Sequence, residues 1–333
     1  MEIQKVAALP VESEKKKKKM NSNVLQQLLA FSSLILLFII FSVASSNFFQ
    51  FDNIVGILLT TSVTGILALG ATIIIVTSGI DLSSGTVMTM SSVMAGVFAI
   101  NLGLPVWLAV IGGILTGAVA GLLSGLAIAK MKIPPFIATL AMMMVAKGLA
   151  LVVAKATPIY FTSKPNFQQI AMGTLIPGVP NAVIIFFMMA IIGSLILSKT
   201  IIGRYTFALG SNEEATRLSG VNVNKWKIII YTIAGIFTGV AGIVMASRLN
   251  SAQPALGQGY ELEAIAAVVI GGTSLSGGTG TILGTVIGAL IMSVLTNGLQ
   301  ILSVPDQWQT VVVGLVIILA VYMDTLRNKK SGK

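Results

Sequence analysis

The sequence predicts an all-α, polytopic helical membrane protein with about ten transmembrane helices and both termini in the cytoplasm. Three observations carry that reading: 55% hydrophobic against 10% charged residues, long apolar runs, and basic residues confined to alternate connections. An ordinary soluble domain has roughly 25% charged residues, and a soluble globule of this length could not cover its surface with so few. About 20 consecutive apolar residues are what a helix needs to cross the hydrocarbon core. No alternating strand pattern is present, so a helical bundle is preferred to an outer-membrane barrel.

Along the chain, residues 1–22 hold the run Lys15 to Lys19, little apolar character and no small-residue cleavage site after the first apolar run. They read as a disordered, basic cytoplasmic tail that fixes orientation, not as a signal peptide. The membrane domain follows over 23–327, and 328–333 form a second cytoplasmic tail. Apolar segments lie near 25–46, 54–78, 86–100, 105–129, 136–154, 181–198, 228–247, 262–272, 281–303 and 308–326. Those at 86–100 and 262–272 are short, as expected of broken helices or of helices that borrow length from glycine-rich loops.

With the amino terminus inside, 17 of the 21 basic residues become cytoplasmic, and only Lys155, Lys164 and Arg248 fall outside, with Lys147 within a span. That bias supports both the orientation and an even number of spans. The net charge of +10 is therefore a topology signal. A nucleic-acid binder would gather its lysines beside aromatics on a soluble face. Cys and His are both absent, which excludes a disulfide framework, thiolate metal sites and the commonest proton relay.

Gly113, Gly117, Gly121 and Gly125 recur every four residues, as do Gly280, Gly284 and Gly288. Such stripes let helix backbones approach closely, so packing is their expected role. A weak internal echo pairs Asp81-Leu-Ser-Ser-Gly-Thr86 with Ser274-Leu-Ser-Gly-Gly-Thr279, each between two apolar runs.

The inventory of chemistry is poor. No G-x-x-x-x-G-K-[ST] loop, Gly-x-Ser-x-Gly elbow or His-Glu-x-x-His pair occurs. The run Gly271 to Gly280 lacks a lysine for phosphates and reads as a flexible turn between spans. Ionisable groups near membrane depth are costly and thus candidates for a substrate path. Asp81 is expected to accept backbone N–H groups at a helix start, and Glu261 and Glu263 to open a short span near the outer face, where carboxylates either cap the helix or bond hydroxyls. Lys147 is expected to snorkel or to meet a carboxylate.

One long polar cytoplasmic segment, 199–227, stands inside the chain. Ser211 or Asn212 can cap a short helix with Glu213 and Glu214 in its first turn, Ala215 and Leu218 on one side, and Gly220 as a stop. Such a helix suits docking on a soluble partner.

Several runs carry a resemblance: Thr77-Ser-Gly-Ile-Asp-Leu-Ser-Ser-Gly85, Pro135-Phe-Ile-Ala-Thr-Leu-Ala-Met-Met143, Gly203-Arg-Tyr205, Gly220-Val-Asn-Val-Asn224, Ser251-Ala-Gln-Pro254 and the stretch from Gly259 to Gly278. In order and spacing, across roughly 45–325, the chain resembles the permease subunits of bacterial ATP-binding-cassette importers for monosaccharides, and within them the ribose-type members. The lysine-rich head and the loop at 155–180 depart from the pattern.

The resemblance implies a multi-pass protein of the bacterial cytoplasmic membrane, with no ATPase site or cofactor of its own. A partner ATPase subunit binds ATP and Mg, a sugar-binding protein delivers the sugar, and a second permease subunit, a homodimer partner or a related chain, completes the path. It implies that Gly210, Ser211, Asn212, Glu213, Glu214, Ala215, Thr216, Arg217, Leu218, Ser219 and Gly220 contain the coupling helix. Phe136, in one of the matching runs, joins Asp81, Glu261 and Glu263 as a substrate-path candidate. The alternatives are an ion-coupled sugar carrier, which usually needs carboxylates or His deep in the bundle, and a channel or scaffold, which leaves 199–227 without a role.

Overall fold

The computed structural model describes residues 22–330. The basic run Lys15 to Lys19 lies outside the described residues, as do 331–333, while Ser22 already opens the first helix and the last continues to Lys330. The described chain is helical nearly throughout. In order it forms α1 (Ser22–Ala44), α2 (Phe51–Ile75), α3 (Ser84–Gly96) with a π-helical continuation (Val97–Asn101), α4 (Val106–Ala129), α5 (Pro135–Val153), β1 (Ile159–Tyr160) and α6 (Pro165–Met172). There follow α7 (Asn181–Lys199), α8 (Ile201–Ser211), α9 (Glu213–Leu218), α10 (Val223–Leu249), β2 (Ser251–Ala252), α11 (Tyr260–Ile270), α12 (Ile282–Ile301) and α13 (Asp306–Lys330).

Among the described residues, eight helices are long and apolar enough to cross a membrane: α1, α2, α4, α5, α7, α10, α12 and α13. The other two segments read as spans are the short ones, α3 with 13 residues and α11 with 11. At 1.5 Å per residue they reach only about 20 and 17 Å, against a core of about 30 Å. The helix α11 is a discontinuous element completed by irregular chain, whereas α3 runs on without a break into its π-helical continuation Val97–Asn101.

Helix α2 occupies the centre. From Thr61 to Ile75 every residue is buried, enclosed by α7, α10, α11 and α12. Its hydroxyls turn back on the helix, Thr61 Oγ1 donating to Ile57 O and Thr72 Oγ1 to Ala68 O, both at 2.8 Å, so apolar neighbours can surround it. Ile66, Leu67, Ile73 and Ile74 meet Phe186 of α7 and Phe237 of α10 in the main core.

The glycine stripe of α4 faces α10. A Cβ on Gly117 would strike the backbone of Gly235 and Gly239, and one on Gly121 that of Tyr231 and Gly235, all on α10. Gly113 and Gly125 press on Ile243 and Ile228 of the same helix. The second stripe needs a correction. Gly284 and Gly288 seat α12 against Gly271 and Ala267, but Gly280 precedes the helix, which begins only after Thr281 caps it, and packs on Val76 and Thr273.

Candidate functional site

The polar segment 199–227 folds into α8, α9 and the start of α10. Asn212 stands at the N-cap of α9 in extended conformation, its Oδ1 accepting from Ala215 N at 2.9 Å. Glu213 and Glu214 fill the first turn, where carboxylates complement the helix dipole, and Arg217 the last. Glu213 binds Arg217 at 3.0 Å and Lys227 of α10 at 2.7 Å, and Gly220 turns the chain at φ +84°. Thr216 is buried against the protein, whereas Ala215 is exposed and Leu218 is 80% exposed. An apolar side turned outward is what a docking helix presents. Asn212→Ala removes the cap at a cost of about 1 kcal/mol. Amide exchange at 213–218 is expected to speed up about fivefold, with the rest of the chain unchanged.

Below α9 the structure brings together three segments that sequence reasoning kept apart. Gly210, near the end of α8, lies against Val76 O and Gly278 N so closely that no Cβ fits. Ser78, after α2, donates its Oγ to Ser276 O at 2.8 Å and to Gly210 O at 3.3 Å, and Gly278 N donates to Val76 O at 2.9 Å. Asp324 of α13 accepts from Ser274 Oγ at 3.3 Å and Leu275 N at 3.2 Å. The run Gly271 to Gly280 does join α11 to α12, but as a pinned connector and not as the loose turn expected. Gly277 and Gly278 adopt φ of +79° and +72°, which glycine tolerates, and this lets the connector reach Ser78 and Ser211. The two echo segments also share a turn: Asp81 Oδ1 accepts from Ser83 N at 2.8 Å, and Ser274 Oγ from Ser276 N at 3.3 Å.

The substrate-path candidates gather only in part. Asp81 lies two residues before the N-cap of α3, Ser83, whose N–H and hydroxyl it accepts. Thr139 Oγ1 on α5 donates to Ile80 O and accepts from Leu82 N, both at 3.2 Å, holding the Asp81 turn against the helix that carries Phe136. Thr139 was legible only as part of a matching run. Phe136 itself is 49% exposed.

Glu261 is buried, accepts from Gly259 N at 3.1 Å and abuts Gly85. The β1–β2 ribbon packs on Gly96 at the far end of α3, about 16 Å along that helix from Gly85. Between Ala252 and Tyr260 the chain dips to the depth of Gly85, so α11 starts inside the bundle. Glu263 turns to Thr64 of α2. Lys147, expected to snorkel or to meet a carboxylate, donates its Nζ proton to Gln258 Oε1 at 3.0 Å.

The family model described as branched-chain amino acid transport system / permease component matches residues 53–321. The ribose import permease protein of Escherichia coli (strain K12) is 44% identical over 90% of this chain and 92% of its own length. That of Bacillus subtilis (strain 168) is 42% identical over 93% and 95%, and the fructose import permease protein of Rhizobium meliloti is 36% identical over 87% and 82%. No solved structure matches. With a multi-pass helical bundle, an outward-facing capped helix and a match that runs from α2 into α13, the chain belongs to this family of transport-system permease components.

Proposed function

We propose that the chain is the membrane-spanning subunit of an ATP-driven importer for ribose or a related monosaccharide in the bacterial cytoplasmic membrane, with ten membrane segments and both termini inside. Hydrolysis belongs to a partner ATPase subunit that holds ATP and Mg, a sugar-binding protein delivers the substrate, and a second copy of this chain completes the path. The observation that carries the reading is α9, capped, half-charged and apolar on its free side, with Gly210 fastened to the segments after α2 and α11. A partner that pulls on α9 moves α8 with it. Through the bonds among Gly210, Ser78 and Ser276 that displacement reaches the central helix and the broken helix α11 as rigid-body motion. Alternating access asks no more of this subunit, and no covalent chemistry is required.

On this reading Asp81, Glu261 and Glu263 shape the inner ends of the broken helices beside the path, and Phe136 narrows it from α5. The experiment is uptake into vesicles reconstituted with the chain, the ATPase subunit and the binding protein. Labelled ribose is expected to accumulate only when all three and ATP are present, and the chain alone is expected to hydrolyse no ATP. Accumulation driven by a proton or sodium gradient without ATP would overturn the reading in favour of an ion-coupled carrier.

A further inference from the structure

Lys147 is the thirteenth residue of α5, about 18 Å along a helix of about 28 Å, and so within the hydrocarbon core. An ionisable side chain at that depth is costly against lipid tails and settles where protein or water receives it. Among the described residues the ion pairs are Arg217 with Glu213 and Lys227 with Glu213, so Lys147 has no carboxylate partner there. Its bond to Gln258 uses one of three ammonium protons, leaving two donors.

Lys147 and Gln258 close a crevice of ≈ 10 Å³ whose other walls include Thr86 and Thr89 of α3 and Pro254 and Gly257 of the segment entering α11. That volume admits about one water. Thr86 Oγ1 donates to Ser83 O at 3.0 Å and Thr89 Oγ1 to Gly85 O at 3.2 Å. Each hydroxyl has thus committed its proton and keeps acceptor lone pairs. One crevice thus combines ammonium donors, hydroxyl acceptors and the apolar ring of Pro254. Sugars present hydroxyls that both donate and accept, on a ring whose C–H groups lie well against such a surface.

We propose that Lys147 contacts the transported sugar within the membrane. When α5 parts from the segment entering α11, its ammonium passes from Gln258 to a sugar hydroxyl, and Thr86 and Thr89 accept from others. The present geometry is the closed form of that site. The assignment rests on the importer reading and names a specificity residue within it.

Because the chain has no cysteine, Lys147→Cys introduces a unique thiol. In reconstituted vesicles with both partners, that thiol is expected to react with a water-soluble methanethiosulfonate reagent during ATP turnover. Saturating ribose with its binding protein should slow the reaction at least fivefold, whereas Leu195→Cys, half-exposed on α7, should stay unreactive. Lys147→Met should lower ribose delivered per ATP at least tenfold, and Lys147→Arg should restore most of it. A thiol as unreactive as the α7 control, or Lys147→Met with wild-type ribose per ATP, would overturn the assignment. Wild-type vesicles separate the two claims: if they take up no ribose with ATP, the importer reading itself fails.

Discussion

Gly121→Leu is expected to leave no monodisperse protein in detergent. The glycine faces Tyr231 and Gly235 on α10, and even a Cβ would meet the carbonyl of Tyr231 and lie 3.1 Å from the Gly235 Cα. These are backbone atoms and cannot rotate away. A leucine there must drive α4 and α10 apart along the most extensive helix contact in the bundle. Overpacking in a core costs about 1–3 kcal/mol when side chains can yield, and here the loss should exceed that range. Gly314→Leu on α13, where a Cβ meets nothing within 4 Å, is the matched control and should keep its yield within about twofold. Equal yields for the two variants would show that the α4 stripe is not a packing surface.

Ala215→Arg should leave the protein folded and inserted yet reduce both sugar-stimulated ATP hydrolysis and uptake at least tenfold. Ala215 is exposed on α9, and the bonds that build the helix, from Asn212 to the Ala215 N–H and from Glu213 to Arg217 and Lys227, use its backbone or other residues. The added side chain therefore costs the monomer little and obstructs only what docks outside. A cysteine at Ser211, exposed one residue before the cap, is expected to crosslink to the ATPase subunit. Normal transport by Ala215→Arg, with no crosslink from any position between 211 and 219, would reduce α9 to a surface loop.

The sequence exposed those features whose causes are local. Apolar runs long enough to span and an Asn before two glutamates each carry their reason within one helix, and α1, α2, α4, α9 and α10 follow them closely. What it concealed depends on distant partners. Gly271 to Gly280 looked loose because nothing nearby in sequence announces Ser78, Gly210 or Asp324. The burial of Glu261 was hidden for the same reason: hydropathy locates α11, but only the approach of Gly257 to Gly85 shows how far the preceding chain runs along α3. Lys147 was recognised as unusual, yet its amide partner lies 111 residues away.

The enclosure of α2 also bears on how the molecule is made. This helix leaves the ribosome early, but its wall is completed only when α12 arrives, and the 2.6 Å bond between Thr72 and Thr285 joins groups 213 residues apart. At about 5–20 residues per second that is a wait of roughly 10–40 s. Meanwhile α2 has lipid for a neighbour, and its buried Thr61, Ser62 and Thr72 would be a liability there if their hydroxyls had no acceptor. Each donates to a carbonyl four residues earlier in its own helix, so the nascent segment carries its own hydrogen-bond partners into the bilayer before any other helix exists to supply them.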